Sequence, residues 1–148
     1  MNYRRAIAVL ALVNAFVALY LHLWKKGLVG ALTCGPSGGC TIAQFSSFGW
    51  FMGIDVALIG TVGYTLILVV ALAGALVQNA DAEWPTSLLI GLIGPAVLFT
   101  MRLKYGEFIV LKTFCPWCAI STVSIATCAV LIVLDWRRLR LARTAAAE

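Results

Sequence analysis

The stretch TFCPWCAISTVSIATCAVLIVL, residues 113–134, decides the fold. It runs for 22 residues without an Asp, Glu, Lys or Arg, and two cysteines stand near its start. A helix rising about 1.5 Å per residue crosses a hydrocarbon layer of about 30 Å in roughly 20 residues. Inside lipid only a helix satisfies its own backbone hydrogen bonds within one segment. The stretch therefore reads as a membrane-spanning helix that opens on a C-x-x-C pair.

Three further runs have the same character. Ala6–Trp24, Val56–Ala80 and Trp84–Met101 are charge-free over 19, 25 and 18 residues. The expected spans are 6–24, 56–78, 85–101 and 114–134, and the expected fold is an all-α polytopic four-helix membrane bundle in a single domain, 1–148. A fifth charge-free run, Gly27 to Ile54, is not a span. It carries seven of the thirteen glycines, Pro36 and two cysteines, a density that suits a tight loop. Within it, Thr41–Met52 is expected to form a short helix at the membrane surface.

Composition agrees. The chain of 148 residues is 62% hydrophobic and 11% charged, with mean hydropathy +0.98. Soluble domains average roughly 45–50% apolar and 25% charged. A water-soluble domain, a disordered chain and a small secreted disulfide scaffold are excluded. The net charge of +5 does not imply nucleic acid. Arg4, Arg5, Arg137, Arg138, Arg140 and Arg143 flank the chain ends, where they are expected at lipid headgroups. Trp24, Trp50, Trp84, Trp117 and Trp136 fall at or just beyond span ends, as interfacial tryptophans do. Pro85 suits a first helical turn, and Pro95 is expected to kink the third helix. The apolar run after Arg5 is too long for a signal-peptide core, and no good cleavage box follows, so the first helix is read as permanent.

Four spans put both termini on one side, and the loop between helices one and two on the same side as the start of helix four. Cys34-x5-Cys40 and Cys115-Pro-Trp-Cys118 can therefore meet. A helix N-terminus stabilises a thiolate, the species that attacks a disulfide. Cys118 lies about 4.5 Å deeper than Cys115 by helix rise. Cys115 is placed to meet protein thiols, and Cys118 to meet something inside the bundle. Cys128, mid-helix, reads as a small buried hydrophobe. Disulfide chemistry needs an oxidising face, so both pairs are expected on the periplasmic or outer side of an inner (plasma) membrane, with cytoplasmic termini.

This pattern resembles the bacterial homologues of vitamin K epoxide reductase. The matching features are Cys34-x5-Cys40, a hydroxyl at Ser46, Gly53-Ile54-x-Val56-Ala57-x-x-Gly60 leading to Tyr64, and Cys115-Pro-Trp-Cys118 opening helix four. The resemblance implies a disulfide-generating oxidoreductase. Its catalytic residues would be Cys34 and Cys40, the shuttle pair, with Cys115, which exchanges with them, and Cys118, which faces a quinone. Ser46, or Ser47 one position on, Thr122, Trp117 and Cys118 would hold that quinone, a ubiquinone or menaquinone, with no metal. Phe48 and Tyr64 are further wall candidates, and His22 is expected to anchor at the interface. The implied partner is a separate periplasmic thioredoxin-like (DsbA-like) dithiol protein, because the chain carries no fused domain of that kind. Val56 and Thr122 stand where animal relatives have Asn and Tyr. Asp55 replaces the usual Pro, and is expected to be hydrated at its span end. A soft-metal carrier for mercury or copper, using the cysteine pairs as thiolate ligands, is the alternative.

Overall fold

The computed structural model describes residues 3–32, 34, 38–76, 79 and 81–146. Thr33, Gly35 and Pro36 of the glycine-rich loop, and the 77–78 end of the expected second span, lie outside the described residues. In chain order the elements are α1 (Tyr3–Lys25), α2 (Gly39–Phe45), a 3-10 turn (Ser47–Gly49), β1 (Trp50–Phe51), β2 (Ile54–Asp55), α3 (Val56–Ala75), α4 (Trp84–Tyr105), a π-helical turn (Gly106–Val110) and α5 (Pro116–Ala146). Four of the helices are long and apolar enough to cross a membrane, which makes this an all-α multi-pass membrane bundle.

The four helices bury little of themselves and present most of their apolar side chains outward, as helices facing lipid do. Their shared core is narrow. It joins Ile7, Ala8 and Ala11 of α1 to Tyr64, Ile67 and Ala71 of α3, Leu89 and Ile93 of α4, and Ile125, Cys128 and Ile132 of α5. Small residues let α1 and α3 approach closely, and a methyl added at Gly60 would touch the Ala18 methyl at 3.5 Å. Cys128 is fully buried in this core.

Helix ends depart from the charge-free runs. Pro85 sits in the first turn of α4, where it removes no helical hydrogen bond. The helix runs on through Pro95 and past Met101, and its π-turn carries Glu107. The 31 residues of α5 span roughly 46 Å, well beyond one hydrocarbon layer.

That length brings Asp135 to the other helices. Arg4 is not at the headgroups but buried beside it, with Nε donating to Asp135 Oδ2 at 2.9 Å. The rest of the guanidinium donates to the carbonyls of Gly74, Asn79 and Ala82 and to Thr86 Oγ1. Thr86 Oγ1 also donates to Asp135 Oδ2 at 2.7 Å. An arginine this deep is tolerable because its donors are satisfied and its charge is paired.

The loop at the other end is folded rather than a plain surface helix. The expected Thr41–Met52 helix starts at Gly39 and stops at Phe45. A tight hairpin follows, pairing Trp50 with Asp55 and Phe51 with Ile54. Its two turn residues, Met52 and Gly53, both have positive φ, at 52° and 80°. That combination matches the right-handed twist of a two-residue hairpin. The Phe51 ring meets Phe99 of α4 edge-on at 5.3 Å, tying the hairpin to the bundle.

Asp55 is buried at this end, against the expectation of hydration. Its carboxylate accepts from Lys25 Nζ (2.7 Å) and from the Ala57 N–H (3.1 Å), and pairs with His22 Nδ1 (2.6 Å). It caps α3 and fastens it to the end of α1, a task that a proline could not perform. His22 is thereby a partner of Asp55 rather than a simple interface anchor. Burial pushes the Asp55 carboxyl up, but the bonds from Lys25, His22 and Ala57 outweigh it and hold the group below the ordinary carboxylate value.

Candidate redox site

Cys34 and Cys40 form a disulfide, with Cα atoms 5.6 Å apart. Cys40 lies in the first turn of α2 and is fully buried, while Cys34 is partly exposed. Gly39 explains how α2 seats. A methyl there would overlap the Phe114 carbonyl oxygen and the Thr113 hydroxyl. Glycine alone lets the backbone before Cys40 lie against the residues that precede Cys115. The two buried cysteines thus each follow directly on a residue of that contact.

Cys115 stands just before α5, and its sulfur accepts from the Cys118 N–H at 3.3 Å. The helix terminus supplies the donors that a thiolate needs. A bond with Cys118 lowers the Cys115 pKa most, burial opposes it, and the N–H groups of Cys118 and Trp117 add to the lowering. Nearby Glu107 works in the other direction, and the net direction is downward. Cys115, Cys118 and Cys128 are free thiols.

Glu107 has no place among the residues expected from the sequence. It is buried, its Oε1 accepts from the Cys115 N–H at 2.6 Å, and its Oε2 pairs with Lys104 at 2.6 Å. The π-turn turns this carboxylate inward; a regular continuation of α4 would have rotated it elsewhere. Its visible signal is an acid three residues after Lys104 within a short basic segment, which reads more simply as a solvated pair.

Cys118, one turn deeper, opens on a cavity of about 610 Å³ bounded by α1, α2, the hairpin, α3, α4 and α5. That size falls within the range of small-molecule sites, and most of the wall is apolar. Trp117, Thr122, Phe48 and Tyr64 are all on the wall. The Trp117 ring also meets Tyr20 at 6.0 Å, and the Tyr64 hydroxyl is engaged with Ser121 Oγ at 2.7 Å. Thr122 donates to the carbonyl of Cys118 at 2.7 Å, bonding its own helix.

Ser46 is placed differently from the expectation. It is not on the cavity wall, and its hydroxyl donates to the Ala43 carbonyl at 2.8 Å. The reason is local: Ser46 ends α2 in an extended conformation, and its side chain folds back on the last turn. Its neighbour Ser47 opens the 3-10 turn and is exposed. Gln44, two residues earlier, faces the site instead, and Nε2 approaches Cys118 Sγ at 3.7 Å. Gln44 is four residues after Cys40 and so on the same helix face, a signal the sequence does contain. Asn14 of α1 is also on the wall, and an asparagine inside an apolar run is the mark it leaves in the sequence.

Comparison with protein families agrees with this geometry. The model described as "Vitamin K epoxide reductase family" matches residues 5–133. That family comprises membrane thiol–quinone oxidoreductases, which in general use quinones and thioredoxin-like partners.

Proposed function

From the premise that this chain belongs to the vitamin K epoxide reductase family, we propose that residues 1–148 act as one disulfide-generating domain. It re-oxidises a separate thioredoxin-like dithiol protein and passes two electrons to a membrane quinone, supporting disulfide formation. Both cysteine pairs would face the periplasmic or outer side of the inner membrane, with cytoplasmic termini.

One observation carries this reading. The Cys34–Cys40 disulfide abuts the segment leading to Cys115, while Cys118 opens on the cavity. The two pairs are thus arranged in series, from the partly exposed Cys34 to the interior. A partner thiolate attacks the Cys34–Cys40 disulfide and forms a mixed disulfide, releasing one loop thiolate. The second partner thiol resolves the mixed disulfide, so the partner leaves oxidised and the loop pair is left as a dithiol. A loop thiolate then attacks the oxidised form of the Cys115–Cys118 pair. The second loop thiol closes the Cys34–Cys40 disulfide again and leaves Cys115 and Cys118 reduced. The Cys118 N–H holds charge on the Cys115 sulfur during the exchange. Glu107 keeps that end of α5 in place through the Cys115 N–H.

The residues fit a quinone. The cavity is mostly apolar and of suitable volume, and Cys118, the buried amides Asn14 and Gln44 and the Lys104–Glu107 pair stand on its wall. When bound, the quinone supplies the sink for two electrons and two protons. Trp117 and Phe48 would flank it, and the hairpin would screen it from water.

The test is anaerobic reduction of a short-chain quinone by the purified protein in detergent, with a small dithiol or a reduced thioredoxin-like protein as donor. Wild type is expected to form quinol, and Cys118→Ser to lose at least about 100-fold, the order expected when a reacting group is removed. Absence of quinol with wild type and an active donor would sink the proposal.

A further inference from the structure

Glu107 holds the start of α5 at two points. Its buried side chain accepts from the Cys115 N–H at 2.6 Å, and its backbone carbonyl accepts from the Thr113 N–H at 3.0 Å. Cys115 begins the helix, its own carbonyl accepting from the Ala119 N–H. Any neutral acceptor would hold the Cys115 N–H. A carboxylate does more, because it brings a negative charge to the residue on which thiol exchange also places one.

In the reduced pair that charge sits at Cys115. The thiol and the N–H of Cys118 both donate to the Cys115 sulfur, so the proton stays on Cys118. The charges beside this sulfur come from α4 and its π-turn: Glu107, and Lys104 behind it, 2.6 Å from Oε2. At the same seam α2 brings Cys40, held in its disulfide, and Gln44, which does not ionise. Lys112, on the connection before Cys115, is exposed. Like charges repel, so the carboxylate opposes an anion at Cys115, and Lys104 on its far oxygen offsets this in part. The Cys115 pKa carries the same sign: Glu107 raises it, against the larger lowering from Cys118.

Oxidation of the pair abolishes that anion. The Cys115 and Cys118 sulfurs bond to each other and the Cys118 proton leaves. Two electrons, that proton and one more from water pass to the quinone, which becomes quinol. We propose that Glu107 is a positioning residue that biases the Cys115–Cys118 pair toward its disulfide. The carboxylate that fastens the Cys115 N–H also repels a thiolate charge that the disulfide lacks, so the pair gives up its electrons more readily, and Lys104 sets how strongly. The proposal rests on the reading of this pair as the quinone reductant and adds what tunes it. A carboxylate that merely caps α5 would need the hydrogen bond and not the charge.

The test uses the full chain in detergent, without oxygen or quinone, equilibrated in dithiothreitol redox buffers. The reduced fraction of Cys115–Cys118 is read by mass spectrometry after thiol trapping, and the rate of Cys115 alkylation is followed against pH. Glu107→Gln keeps an acceptor for the Cys115 N–H and loses the charge. Its equilibrium constant for reduction by dithiothreitol is expected to rise about tenfold, or about 30 mV for a two-electron couple. The midpoint of its alkylation profile should fall by about one pH unit. Lys104→Gln keeps a donor for Oε2 but unmasks the carboxylate, so both quantities should move the opposite way, by about two- to threefold. Damage from breaking the ion pair would move the two variants in the same direction. Opposite shifts support the proposal, and any other pattern overturns it. If Glu107→Gln does not fold, the sign of the Lys104→Gln shift decides alone. With no quinone present, the outcome is independent of quinol formation by wild type, on which the quinone reading stands or falls.

Discussion

The two ends of this bundle handle buried polarity in opposite ways. At the end that holds the termini, Arg4, Asp135 and Thr86 close on one another and on three backbone carbonyls, joining α1 to the end of α3, the start of α4 and the middle of α5. Charge and donors are matched there, and the result is a clamp. At the cysteine end, Cys118, Glu107, Asn14 and Gln44 lie on the wall of a cavity, and among the described residues the two amide oxygens have no hydrogen-bond partner. The contrast separates a polar cluster closed on itself from one with acceptors left unfilled. Burial is similar in the two, but the number of unsatisfied groups is not.

Breaking the clamp should produce the largest effect. Arg4→Met leaves the buried Asp135 with only the half-exposed Arg138, 3.7 Å from its other oxygen, and is expected to cost about 3 kcal/mol of stability. Arg4→Met/Asp135→Leu removes both charges and should recover most of that loss. Unfolding in detergent measures both, and a double variant as unstable as the single would refute the clamp. The folded fraction of Arg4→Met should keep the Cys115 alkylation rate of wild type, because the clamp lies at the far end of the helices.

An intermediate effect belongs to the seam between the cysteine pairs. Gly39→Ala forces a methyl into the Phe114 carbonyl, so α2 must move off the start of α5. Overpacking of this kind costs about 1–3 kcal/mol. Exchange between the loop pair and Cys115 should slow more than tenfold, as misplacement by about 1 Å does to a positioned reaction. Rapid-quench trapping of the two pairs reads this step directly, and an unchanged rate would mean that the seam does not position the cysteines.

The smallest expected effect sharpens the comparison at a third cluster. Asp55 has a lowered pKa in the folded protein, so its contribution to stability is complete above the ordinary value of 3.8 and is lost as pH falls through its own lower value. A melting profile against pH should therefore drop through that acid window. Asp55→Asn, expected to cost about 1–2 kcal/mol near neutrality, should lack that component of the drop. A variant profile with the same acid limb as wild type would assign the drop to other carboxylates.

Much of this is legible in the sequence, for identifiable reasons. The charge-free runs mark four spans because hydropathy is summed along a helix and needs no partner. Parity then puts Cys34-x5-Cys40 and Cys115-Pro-Trp-Cys118 at one end. At Arg4, Asp55 and Ser46 the structure departs from the expectation. Arg4 and Asp55 look like headgroup or solvent charges because each sits at a span end. Ser46 is expected at the ligand, but the end of α2 engages its hydroxyl locally. The π-turn that aims Glu107 at Cys115 has no sequence signature of comparable strength.

The sequence by itself therefore determined the number of spanning helices, the end of the bundle that holds both cysteine pairs and the glycine-rich character of the first connection. These follow from local quantities: apolar length, backbone hydrogen bonding in lipid, and the tolerance of glycine for turns. Only the tertiary structure decided which polar groups are satisfied. Arg4 finds Asp135 across 131 residues and Gln44 finds Cys118 across 74, while Asn14 Oδ1 finds no partner among the described residues. A hydrogen bond is short and directional, so its partner is set by how helices distant in sequence rotate against one another, and no local pattern encodes that rotation.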